Sequence, residues 1–222
     1  VHINLMEGPA CLSIDEVPLL VDKQGYFRHS FQSLFAAYYV SSKNRKAIAA
    51  QVKAEMRAQM QAVAKYLPPN CELHVDSHQH FHMIPFIFKL LMELHQEIPI
   101  GYIRIAREPF FFHIKGKGIL NYFGLNLIKH LLLNFLAKKC IKLLKGTHIK
   151  SPDFFVGVLF TGNITIESVT KALTVLNTKH PNQELVIEIL MHPGGASKED
   201  ASLWKKYPHL VEYYCSEFRE KE

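Results

Sequence analysis

At 222 residues, 48% hydrophobic and 21% charged, the chain has the makeup of one ordinary packed domain, which sets aside intrinsic disorder, collagen-like repeats and a disulfide-dense miniature. Its cysteines, Cys11, Cys71, Cys140 and Cys215, lie far apart without paired spacing, so neither a zinc ribbon nor a disulfide framework is indicated. The formal charge of +6 is concentrated between His113 and Lys150, where eight lysines occur with no Asp or Glu, and it marks a local surface rather than the whole chain.

In chain order, Val1-His2-Ile3-Asn4-Leu5 alternates as a short strand would, with His2 and Asn4 sharing its polar face, and Glu7-Gly8-Pro9 ends it. A chain that starts on Val, already in strand-like alternation, is expected to lack an N-terminal piece, so a signal peptide is not assessed and a cytoplasmic setting is the default. Residues 10–40 read as a long loop with one short helix. From Ser42 to Tyr66 the apolar positions Ile48, Val52, Met56, Met60 and Val63 recur every three or four residues, and Pro68-Pro69 stops the helix. Glu72–Val75 is a strand, the histidine-rich run follows, and Pro85 suits the first turn of a helix over Phe86–His95.

Further on, Gly101–Ile105 is a strand leading to Arg104 and Arg107, and Ile119–Leu144 is leucine-rich, lysine-bearing and helical. Phe154–Phe160 has the length of a buried strand, interrupted only by Gly157. Thr165 is placed to cap a helix carrying Ile166, Val169, Leu173 and Leu176, and Glu184–Leu190 is a last strand running into Met191-His192-Pro193-Gly194. Strands alternating with helices predict an α/β fold with a parallel sheet, open or closed into a barrel, with functional groups at the carboxyl ends of strands. His78, Arg104 and His192 all sit at or just past such ends. No stretch of about 20 uninterrupted apolar residues predicts a membrane span.

The run His74-Val75-Asp76-Ser77-His78-Gln79-His80-Phe81-His82 holds four of the thirteen histidines in nine positions. If the strand continued, its period of two would turn residues 74, 76, 78, 80 and 82 to one side, concentrating imidazoles beside a carboxylate. Neutral imidazoles suit a divalent transition metal, and Asp76 is the candidate for orienting a ligand histidine. The plainer alternative is a strand whose histidines cap a helix or fill a wet crevice. An open metal site needs about three ligands from different elements, so a second contributor is required, and His2 is the candidate.

The segments His2-Ile3-Asn4-Leu5-Met6-Glu7-Gly8, His74 through His82, and Glu188-Ile189-Leu190-Met191-His192-Pro193-Gly194 resemble, in this order, the YdjC-like carbohydrate deacetylases. Gly157-Val158-Leu159-Phe160-Thr161-Gly162 is similar to the hopanoid-biosynthesis-associated branch of that family. The resemblance implies a single polysaccharide-deacetylase-like (β/α) barrel domain over 1–222, incomplete at its N-terminus, that removes acetyl groups from N-acetylated sugars with a divalent metal, magnesium or zinc. It implies His2 and His78 as metal ligands and His192 as the catalytic acid. Asp76 is then a supporting catalytic residue, Arg104, Arg107, His80 and His82 contact substrate or the groups behind it, and His74 is structural. The family's paired Asp-Asp motif, upstream of the His2 position, is not in this sequence. Little or no hydrolysis by this polypeptide alone is the resulting expectation.

Two other readings stay open. His78-Gln79-His80 has the His-x-His spacing of amidohydrolase- and phosphoesterase-type metal hydrolases, although no later strand end offers the matching Asp. The segment 115–150 can instead serve a non-catalytic module that binds anionic surfaces, with Lys138, Lys142 and Lys145 on one helix face. An N-acetylated sugar or oligosaccharide is the expected partner, with peripheral contact to an anionic membrane and a homodimer as further associations and no nucleic acid.

Overall fold

The computed structural model describes residues 1–40, 43–113 and 122–192, together with Val211 and Cys215. The chain divides into two compact units, one made of Val1–Ile105 and Phe135–Ser151, the other of Ala106–Asn134 and Pro152–Glu222.

In the first unit, β1 (His2–Ile3), β2 (Leu73–Ser77) and β3 (Ile100–Ile103) form a parallel sheet in that order. Three helices supply the crossovers: α1 (Phe31–Tyr39), α2 (Arg45–Ala64) and α3 (Pro85–Leu94). The single short helix expected within residues 10–40 is α1. Its start is fixed by Ser30, whose hydroxyl accepts from the Ser33 backbone N–H while Ser33 returns a bond to the Ser30 backbone. Helix α2 buries Ile48, Val52, Met56 and Met60 of the predicted stripe at four-residue intervals, whereas Val63, its last predicted member, is exposed. Pro85 opens α3, where a missing N–H costs no helical bond.

Polar residues on α2 do a second job. Buried Glu55 accepts from the backbone N–H groups of Cys11 and Leu12, and Gln59 holds both the N–H and the carbonyl of Asn4. The loop after β1 is thereby pinned to α2. Strand β1 stops at Ile3, so Asn4 does not continue a strand face: its side-chain oxygen accepts from the N–H groups of Met6 and Glu7, forming a turn that directs Glu7.

Helix α4 (Leu125–Leu144) contributes residues to both units. The start of its predicted pattern, Ile119 to Asn121, lies outside the described residues, as do Lys115, Lys117 and the Pro193-Gly194 turn.

In the second unit, β4 (Phe154–Val156) pairs in parallel with β5 (Ile187–Ile189), and α5 (Ile166–Lys179) connects them. Thr165 caps α5 as expected, in a reciprocal pair with Ser168. The apolar run 154–160 is a strand only as far as Val156. At Gly157 the backbone turns through φ +136°, and a Cβ there would lie 2.6 Å from the Leu190 carbonyl oxygen. Only glycine meets both conditions. Gly157→Ala is expected to destabilise the protein by about 2 kcal/mol, read as a lower urea midpoint at unchanged slope, and an unshifted midpoint would contradict this account. Val158, Leu159 and Phe160 are buried beyond the strand, Leu159 and Phe160 with Phe111, Tyr122 and Ala172.

The parallel α/β prediction is met. Among the described residues the strands form one three-stranded and one two-stranded sheet, so a closed barrel is not what these pairings establish.

Candidate active site

The register of the first sheet assembles the site. His2 on β1 pairs with Asp76 on β2, and parallel neighbours in register project to the same face. Val75 pairs with Ile103, and the Arg104 N–H continues the ladder to the Val75 carbonyl, which brings Arg104 beside Asp76 from just past β3. Three adjacent strand ends thus deliver an imidazole, a carboxylate and a guanidinium to one place.

Asp76 Oδ2 lies 2.9 Å from His2 Nδ1 and 2.5 Å from Arg104 Nη1. Burial works to raise the Asp76 pKa, but the His2 hydrogen bond and the Arg104 charge outweigh it and hold the carboxyl below its ordinary value. An ionised Asp76 accepts from His2 Nδ1–H, which leaves the Nε2 lone pair of His2 turned away from the carboxylate. Arg104, expected as a substrate contact, is placed by this ion pair beside Asp76.

After Ser77 the strand ends in a 3-10 segment, His78–Met83, in which Gln79 and His80 take positive φ of 49° and 59°. The expected one-sided row of residues 74 to 82 is therefore broken, because a period of two requires extended backbone. His74 remains on the strand and stacks on Tyr102 with centroids 4.9 Å apart, in keeping with a structural place. His78 turns to meet His2 edge-on, the ring centroids 5.8 Å apart and the planes at 83°. His78 Nε2 is also 3.2 Å from Glu7 Oε1. Glu7 was not among the expected site residues; its position directly behind β1, inside the His2–Gly8 segment, was the available signal.

His82 is fully buried, so it has no surface with which to touch a substrate. Its Nε2 is 2.7 Å from the Arg104 carbonyl oxygen and its Nδ1 is 2.6 Å from Ser77 Oγ, which in turn accepts the His82 backbone N–H. The carbonyl can only accept, so Nε2 carries a proton, and burial, which pushes the ring's pKa down to about 4, keeps it neutral near pH 7. His82 thereby ties the 3-10 segment to the backbone of Arg104. His80 is half-buried, with its ring centroid 6.5 Å from that of His82.

The remaining expected residues belong to the second unit. Arg107 lies over the Phe154 ring at 4.3 Å, and half-buried His192 follows β5. A buried residue there that sequence reasoning missed is Glu108. Its carboxylate accepts from the N–H groups of Gly157, Val158 and Leu159 and from His130 Nδ1.

The donor set fits a divalent ion as far as two imidazoles with one carboxylate-fixed tautomer. His2 and His78 would hold it, with Glu7 next to His78. Among the described residues, no group of three or more His, Cys, Asp or Glu side chains is arranged to hold a metal ion by itself.

The chain matches the YdjC-like protein family over residues 1–221. It is 25% identical over 219 residues to a Xenopus laevis protein named carbohydrate deacetylase, across 90% of this chain and 65% of that one. A Danio rerio protein of the same name is 22% identical over 217 residues, across 89% and 65% of the two chains. The chain thus spans 65% of the length of these curated relatives. A crystal structure from Enterococcus faecalis V583, described as a candidate cellobiose-phosphate cleavage protein, matches with a TM-score of 0.54 at 18% identity, covering all of this chain and 70% of that one. At that identity the likeness bears on the fold.

Proposed function

Because the chain belongs to the YdjC-like protein family, we propose that it acts as a metal-dependent carbohydrate N-deacetylase with a barrel-like α/β architecture. The observation that carries this reading is the approach of His2 and His78, from separate segments of chain, beside an ionised Asp76. The names of the Xenopus laevis and Danio rerio relatives support the substrate class, an acetylated sugar.

On this reading His2, through Nε2, and His78 are two ligands to a divalent ion, magnesium or zinc. When bound, such an ion supplies Lewis acidity, acidifying water and polarising an acetamide carbonyl. Asp76 locks the His2 tautomer and aims its ring. Arg104 keeps Asp76 charged, and His82 steadies the Arg104 backbone from behind. His192, protonated, delivers a proton to the sugar nitrogen as its bond to the acetyl carbon breaks. Arg107 and His80 offer hydrogen bonds to sugar hydroxyls.

The test separates ligand from acid. His78→Ala should lose bound metal in elemental analysis and acetate release together. His192→Ala should keep its metal and lose about a hundredfold in rate. Full metal content in His78→Ala would remove the ligand assignment, and an unchanged rate in His192→Ala would remove the acid.

A further inference from the structure

Helix α4 carries one continuous stripe at three- and four-residue spacing: Leu125, Ile128, Leu132, Phe135, Lys139, Lys142. The opposite side, with Leu133, Leu136, Ala137, Cys140 and Leu144, is buried. The stripe is not. Leu125, Ile128, Leu132 and Phe135, with neighbouring Leu131, are between 40% and 72% exposed. Four or five large apolar side chains aligned in water on one helix face are more than scattered surface residues and mark an interaction site.

The same face changes character along its length. Its first three turns are aliphatic and aromatic, and its last two bear Lys138, Lys139 and Lys142, all exposed. Lys139 Nζ sits 4.5 Å from the centre of the Phe135 ring, so its stem covers apolar surface while its charge stays at the boundary. Helix α4 has no Asp or Glu to neutralise these lysines, and neither has the flanking sequence from His113 to Lys150.

From this we infer that the exposed face of α4 is a peripheral docking surface for an anionic lipid bilayer. Leu125, Ile128, Leu132 and Phe135 enter the headgroup–acyl boundary, and Lys138, Lys139 and Lys142 meet lipid phosphates. Charge complementarity selects this occupant. A second copy laid on the same face brings more lysines and no carboxylate, so self-association through α4 sets like charges against one another. Nucleic acid would satisfy the lysines but leave the leucine and isoleucine surface without use. The helix is not long and apolar enough to cross a membrane, which limits the contact to the interface.

Flotation of the protein with phosphatidylcholine vesicles, with and without phosphatidylglycerol, tests this. Binding is expected only to the anionic vesicles and should weaken as salt is raised. Lys138→Gln, Lys139→Gln and Lys142→Gln should each lower vesicle affinity about fivefold and together about a hundredfold. Phe135→Asp should lower it about tenfold or more. These side chains are exposed, and an unchanged circular dichroism spectrum verifies that the fold is kept. Absence of binding to anionic vesicles overturns the inference. So does equal binding to neutral ones, or a doubled mass in solution that Phe135→Asp abolishes while vesicle binding is unaffected.

Discussion

Glu108→Ala is expected to destabilise the protein by about 3–5 kcal/mol, the largest loss from any single side chain considered. Glu108 is buried, and its two oxygens receive four donors. Oε1 is 2.6 Å from Gly157 N and 3.0 Å from Val158 N, while Oε2 is 2.7 Å from Leu159 N and 2.9 Å from His130 Nδ1. Three consecutive backbone N–H groups pointing inward form a concave, partially positive cup that the carboxylate fills. Alanine removes the acceptor and leaves the cup folded around nothing, at a cost of about 1–3 kcal/mol for each buried donor left unpaired. Some of that is recovered if water enters or the loop opens. Glu108→Gln keeps one acceptor oxygen but turns an amide donor toward other donors, so it should fall between the two. Urea denaturation gives the magnitude, and hydrogen exchange gives the location: the amides of Gly157, Val158 and Leu159 should lose protection first. An alanine variant within about 1 kcal/mol of the parent would mean that the carboxylate does not organise this loop.

Glu108 also marks where sequence reading stops. Local pattern was enough for α2, α3 and α5, because each has an apolar stripe and a stop or start signal within the same few residues: Pro68-Pro69, Pro85, Thr165. The strand segments of the first sheet were legible by alternation and turn signals, while their order and the register that brings His2 to Asp76 came from the structure. Partnerships across the chain left no such mark. Glu108 meets residues some 50 positions away, Glu7 meets His78 at 71, and the pairing of Arg104 with Asp76 had no mark in the sequence, where Arg104 could be read equally as substrate contact or as a paired surface charge. The histidine run misled through its backbone. Alternation placed five residues on one side, whereas the strand ends at Ser77 and positive φ at Gln79 and His80 kinks the following segment, with His78 meeting His2 and His82 in the interior. Helix α4 was recognisable as lysine-bearing and helical, but its leucines were divided between two faces, and only the structure tells the buried set from the exposed one.

The buried His82 gives the second large effect, one that pH controls. Burial is the main cause that pushes its pKa down to about 4, with the Arg104 carbonyl hydrogen bond opposing it. In the unfolded chain the same imidazole titrates near 6.5. Above pH of about 6.5 the ring is neutral in both states and contributes no pH dependence. As pH falls from about 6.5 to about 4, the unfolded state takes up the proton first, so the folded state loses stability throughout that window. The full loss is about 3 kcal/mol, and below pH of about 4 this group adds nothing more. Stability measured by urea denaturation at steps from pH 7 to pH 4 should decline accordingly. His82→Gln, which keeps an N–H for the Arg104 carbonyl but cannot titrate, should be less stable at pH 7 yet show a flatter decline. Half-buried His29 and His95, also shifted downward, still contribute to the slope in both proteins, so the difference between them isolates His82. Equal slopes would show that His82 protonation is not coupled to folding. The chemistry of the site should follow the same course. A protonated His82 places a second N–H against Ser77 Oγ and a charge in a dry interior beside the Arg104 guanidinium, which it repels. Arg104 pairs with Asp76, so this ion pair is expected to weaken in the same pH window in which stability falls, while the strand register keeps His2 beside Asp76.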